Sequence, residues 1–333
     1  MAKGKNPATE EKFKTMIGGQ ALIEGIMMRG PDKDAVTVRK DGQIHVEVKQ
    51  RKLLPEKSVK KWPLIRGAVN FFDAQVTGVK ALMRSADLSP EESQEQPSKL
   101  DRWLEKKLGN EKFQSFVIGT AVALGLCMSI VLFFLVPMLV SSFCDRWIPS
   151  TVVLNLVEGV VRIAIFVCYI LLVSRMPEMK RVFAYHGAEH KTIRCYEAGL
   201  ELTVENVRCQ TRLHPRCGTS FLLIVMILSI LVFSVASSGL LSLIPALEEM
   251  RGTGLYRLIM IGFKLLLLPV VVSVSYEINR WVGRHDNWVT RIMTAPGMWF
   301  QNFTTKEPDD SMIEIGIASL QAVIPEEEGA DRW

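Results

Sequence analysis

The chain has 333 residues, 40 basic against 35 acidic side chains, a net charge of +5 and a hydrophobic content of 48%. That length accommodates two domains, and a charge excess so small and dispersed excludes nucleic-acid binding while fitting a protein that lies against an anionic membrane leaflet. Six scattered cysteines exclude a disulfide framework, since three of them (Cys195, Cys209 and Cys217) fall in a segment expected to face the reducing cytosol.

Met1 to Met16 is charged and has no apolar stretch, so no secretory leader is expected. Residues 1–12 read as a disordered polar tail. A cytosolic α+β unit is predicted over 13–86. Its clearest signal is the alternation of Val36–Lys40 and Gln43–Val48 about Asp41-Gly42, which predicts a β-hairpin. Ahead of it, the glycines at 18, 19, 25 and 30 point to tight bends, close backbone approach or a bulged strand. Residues 64–83 predict a helix with Leu64, Ile65, Ala68, Val69, Phe72, Val76, Val79 and Met83 on one stripe. With Lys57, Lys60, Lys61, Trp62 and Arg66 beside it, that stripe suits either the membrane interface or packing onto the β-unit. Residues 87–112 read as a linker and short helix.

A transmembrane domain is predicted over 113–280. Phe113–Cys144 and Cys217–Leu247 carry no charge, and weaker apolar spans cover 151–174 and 255–276. Each is long enough to cross a bilayer, which takes about 20 residues. The fold class is therefore an α-helical membrane protein of about four transmembrane helices with an N-terminal cytosolic α+β unit. Between the second and third spans lie Arg175, Lys180, Arg181, Lys191, Arg194, Arg208, Arg212 and Arg216, against only Arg146 and Arg251 in the short connections. The positive-inside bias places residues 175–216 and both termini in the cytosol of a multi-pass cell-membrane protein. Glu158, Arg162 and Lys264 sit within spans, where charges are costly. A structural pair, Glu158–Arg162 or Glu158–Lys264, is favoured over a pore, because no polar run accompanies them.

His186-Gly187-Ala188-Glu189-His190 carries the chemistry. On a helix, residues three and four apart share a face, so both imidazoles and the carboxylate point one way. The H-x-x-E-H spacing is that of inverzincin metalloproteases. Two neutral imidazoles one turn apart suit a divalent metal, zinc first, and Glu189 would act as general base on a bound water. The alternative is an ordinary hydrogen-bonded helix face. The third ligand is open between His214 and Glu277, with Cys217 as a further candidate. Arg216 or Lys191 would steady a developing anion. In the C-terminal segment, 281–333, Ser311 and Glu314 fit a capping box ahead of a stripe of Ile313, Ile317, Leu320 and Ile324. Asp309 and Asp310 would lie at that helix's positive end.

Five motifs in order carry a family resemblance. They are Gly18-Gly19-Gln20-Ala21 with Met27-Met28-Arg29-Gly30, Tyr185–Thr192, His214–Phe221, Tyr276-Glu277 and Glu307-Pro308-Asp309-Asp310. From about residue 16 to 324 the chain resembles the YqhQ-like family, domain of unknown function 1385. The resemblance implies a multi-pass bacterial membrane protein and a metal-dependent enzyme, with no substrate attached. Two functional readings follow. One is a metal-dependent hydrolase at the cytosolic membrane face, acting on a peptide or a lipid. The other is a non-enzymatic scaffold that docks a cytosolic protein.

Overall fold

Asp41 and Gly42 both adopt positive φ, at 50° and 75°, in this computed structural model. That is the backbone a two-residue hairpin turn needs for its twist to match the flanking strands. The turn joins β3 (Lys33–Lys40) to β4 (Gln43–Gln50). The glycine-rich stretch forms a second hairpin, β1 (Gly18–Leu22) and β2 (Gly25–Arg29), folded back at Ile23-Glu24. No bulge interrupts it, since pairing runs unbroken from Gly18 opposite Arg29 to Leu22 opposite Gly25. The sheet is an antiparallel meander in the order β1-β2-β3-β4. The structure describes residues 11–51, 55, 58–88, 110–148 and 150–332, so the predicted tail (1–12) and linker (87–112) lie mostly outside the described residues.

The contacts divide the chain into two units. The first comprises Met1–Pro90, Tyr169–Leu228 and Leu268–Trp333. Here β2 is covered on both faces, which accounts for its unbroken Ile-Met-Met run. Ile26 and Met28 pack with Ala184, Tyr185, Ala188 and Leu320, while Met27 packs with Leu22 and Ala81. Each large side chain so buried contributes about 1.5–3 kcal/mol. The covering helices are α1 (Ile65–Leu88), α5 (Pro177–Glu197) and α11 (Asp310–Gln321). Helix α1 turns its small residues inward, with Gly67, Gly78, Ala81 and Ser85 buried. The apolar stripe is not packed on the sheet, and Phe72, Val76 and Val79 stay exposed. Asp309, not Ser311, caps α11. Its carboxylate accepts from the Met312 N–H at 2.9 Å and from the Ser311 hydroxyl at 2.6 Å, and Glu314 pairs with Arg39 instead of closing a box.

The second unit comprises Glu91–Cys168 and Ser229–Leu267. Among the described residues, four helices are long and apolar enough to cross a membrane: Gly119–Cys144, Val152–Val173, Gly218–Leu243 and Gly254–Arg284. The first consists of α2 (Asn110–Ile130), a π-helical turn (Val131–Leu135) and α3 (Val136–Cys144). The others lie in α4 (Thr151–Val173), α7 (Gly218–Leu243) and α9 (Gly254–Arg284). The π turn has a local cause. Pro137 has no N–H to offer the carbonyl of Phe133 four residues earlier, and the Arg162 Nε donates to that carbonyl at 2.8 Å. Glu158 holds both cations at once. Arg162 reaches it at 2.7 Å, and Lys264 bonds both its oxygens at 2.7 and 2.6 Å.

Candidate metal centre

Pro177 starts α5 at a position where a missing N–H does no harm. From Phe183 to Cys195 the helix is buried almost all round. His186 and His190 share one face, with ring centroids 4.3 Å apart. Each ring is anchored at Nδ1 by a backbone carbonyl, Thr304 for His186 at 2.8 Å and Arg212 for His190 at 2.6 Å. A carbonyl only accepts, so both Nδ1 atoms carry protons and both Nε2 atoms face the centre. This is the arrangement by which outer hydrogen bonds orient histidine ligands. The His186 Nε2 lies 3.2 Å from the Cys217 Sγ, and the buried His190 Nε2 has no hydrogen-bond partner among the described residues. One ligand atom from each of His186, His190 and Cys217 lies within 4.8 Å of the others.

Cys217 occupies the N-terminus of α7, where the Thr219 N–H and hydroxyl donate to its sulfur at 3.5 and 3.3 Å. Loss of solvent would raise this thiol, but His190 and His186 hold it well below the usual thiol range. Loss of solvent would likewise lower His186, yet the Cys217 sulfur, Glu189 and the Thr304 carbonyl raise it to about 9. Burial lifts the Glu189 carboxyl above its usual range against the pull of both histidines, and the Gly19 N–H bonds to it. Strand β1 comes this close because Gly19 has no side chain. A Cβ there would sit 2.9 Å from the Glu189 Cδ and 2.8 Å from the Met27 carbonyl oxygen. Gly187 works in the same way on the helix, where a Cβ would run into the Lys306 carbonyl oxygen. The segment 304–308 can therefore lie across α5 and present the Thr304 carbonyl to His186. A cavity of about 310 Å³, lined by Gly19, Arg29, Glu189, His190 and Cys217 among others, opens beside the centre.

Other residues singled out in the sequence lie elsewhere. Glu277 does not join the histidines, because Arg66 engages it through Nε at 2.6 Å. His214 turns its Nε2 to Glu197 at 3.1 Å, and its ring centroid stands 5.6 Å from that of His190. Burial and Arg216 keep His214 well below the usual histidine range. Arg216 is bound to the same Glu197 at 2.5 Å but still lines the cavity. Lys191 pairs with Glu307 at 2.6 Å and bonds the Arg208 carbonyl. Of the candidates for third donor, geometry brings Cys217 to the pair. The Gly19 N–H and the two carbonyls were not foreseen; their only sequence signals were the double glycine and the Glu307-Pro308 motif.

The model of a family described as "Protein of unknown function (DUF1385)" matches residues 62–326. The chain belongs to the DUF1385 family. It is also 33% identical over 324 residues to the uncharacterized protein YqhQ of Bacillus subtilis (strain 168), covering 95% of this chain and 94% of that protein. No solved structure matches. The DUF1385 match takes in His186, Glu189, His190 and Cys217 but begins after β4, so Gly19 falls outside it.

Proposed function

We propose that this DUF1385 protein is a metal-dependent hydrolase of the bacterial cell membrane, working at the cytosolic face. The observation that carries the reading is the pair of imidazoles fixed through Nδ1, with both Nε2 atoms and the Cys217 sulfur converging on one point. Three protein donors are the complement of a catalytic zinc site, which keeps a further position for water or substrate. A divalent ion held there would supply an activated water and polarise the bond to be cleaved. Glu189 stands beside it, held by the Gly19 N–H, with a carboxyl raised toward the range that suits proton transfer near neutral pH. It would take the proton from the attacking water and return it to the leaving group. Bonds to Glu197 hold Arg216 in the cavity wall, from which it offers positive charge to an anionic group. The exposed stripe of α1, flanked by Lys60, Lys61 and Trp62, suits contact with lipid headgroups and favours a substrate presented at the membrane.

One feature favours the scaffold reading. Strand β4 is exposed along its whole length at a sheet edge, with Val46 and Val48 outward, and an edge of that kind accepts a partner. Two variants separate the readings. Glu189→Gln should keep the metal measured in purified protein and fail to complement a deletion strain. His190→Ala should lose the metal. Full complementation by Glu189→Gln would rule out the general-base role, and metal-free wild-type protein would rule out the centre.

A further inference from the structure

The second unit contains a polar chamber of about 60 Å³. Its walls come from α3, α4, α7 and α9, and its mouth is at Asp145, Arg251 and Gly252. It reaches inward to Lys264, ten residues along α9 from Gly254 and so about 15 Å along the helix axis. Charge around it is unbalanced, counting Arg162, which pairs with Glu158 but does not itself line the chamber. Glu158 supplies one negative charge against Arg162 and Lys264, leaving one positive charge over. Arg257 adds a second, for among the described residues it makes no ion pair, and its Nη2 has only the Ser142 hydroxyl at 3.5 Å. Arg251 at the mouth meets two carboxylates, Asp145 at 3.1 Å and Glu248 at 2.9 Å, which leaves one negative charge there and one positive charge over for the whole set.

Hydrogen bonding is unbalanced in the same direction. The Ser237 Oγ, the Asn155 Nδ2 and the Arg257 Nε are buried, belong to residues that line this chamber and have no partner among the described residues. Ser237 is 1% exposed. All three can donate, and both carboxylates of the lining are already engaged, Glu158 by Arg162 and Lys264 and Asp145 by Arg251. Buried donors without acceptors are rare and costly. Water would supply acceptors but would not neutralise the charge. A small oxyanion does both.

We infer that this chamber is an anion site for a phosphate-type group, entered from the membrane face that carries the 145–150 and 244–253 connections. At about 10–15 Å³ per water-sized group, its volume holds roughly four to six such groups. That suits a phosphate, free or on a lipid head, and excludes a nucleotide. Arg257 and Ser237 are the recognition residues, and the Glu158–Arg162–Lys264 cluster fixes the positive floor.

The test uses the full chain in nanodiscs of phosphatidylcholine, with thermal unfolding followed as inorganic phosphate is added against chloride at equal ionic strength. A second set of nanodiscs contains phosphatidylglycerol. Stabilisation by phosphate identifies a free anion, and stabilisation by phosphatidylglycerol alone identifies a lipid headgroup. Either response should weaken at least tenfold in apparent affinity in Arg257→Gln and in Ser237→Val. The second variant leaves every ion pair intact, so it reads the site even if the first unfolds. No response to either probe, or an unchanged response in every variant that folds, overturns the inference.

Discussion

Gly19 places a backbone N–H where a side chain would have kept the strand away from Glu189. The consequence is specific to the carboxylate, because both imidazoles are anchored elsewhere, on the Thr304 and Arg212 carbonyls. Gly19→Ala should therefore leave metal content close to wild type and still reduce complementation at least as severely as a partial loss of Glu189 function. Metal analysis and complementation of the same variant check this. Loss of the metal along with function would show that the strand holds the histidines as well. The paired histidines and the carboxylate were legible in the sequence, because a spacing of three and four residues on a helix is purely local geometry. Cys217 was legible only as one candidate ligand among several, and Gly19 and the carbonyls were not, because which segments approach the helix depends on tertiary packing. Glu277 looked equally suitable from its topology, but Arg66, 211 positions earlier, engages it.

The segment 304–308 crosses α5 at Gly187 and is tied there by the Lys306 N–H, which donates to the Phe183 carbonyl at 2.8 Å. An alanine at 187 would push a methyl into backbone, which has no rotamer to yield. Gly187→Ala should cost about 1–3 kcal/mol, as overpacking does. It should also weaken metal retention by shifting the carbonyl that orients His186. A lower unfolding midpoint with normal metal content would mean the segment is structural only. At this scale, sequence periodicity located the elements, and packing decided their faces. The apolar stripe of 64–83 pointed to a helix correctly, but the sheet selected the opposite, small-residue face, since Gly78 admits the Gln20 side chain where larger residues would not. The hairpin at Asp41-Gly42 was legible because its turn needs two residues that tolerate positive φ. The one at Ile23-Glu24 was hidden, because Glu24 adopts φ 51° with no such signature. Its side chain is held by Arg181 at 2.6 Å and by the Tyr185 hydroxyl at 3.2 Å.

For the whole chain, the orientation proposed from basic residues makes a prediction that needs no substrate. In intact cells an impermeant maleimide should label the native Cys144 and spare a cysteine placed at the exposed Glu201. Labelling at 201 would reverse the orientation and move the metal centre to the outer side. The cluster around Glu158 also bears on how such a protein is made. Glu158 and Arg162 are neighbours on α4, so that helix enters the bilayer with its charges already cancelled. Lys264 has no carboxylate on its own helix within a turn, and a lone lysine at mid-membrane costs about 2.5–3.5 kcal/mol to insert. Its partner was synthesised 106 residues before it. The later hairpin therefore depends on the earlier one being already seated, and the order of translation becomes an order of assembly.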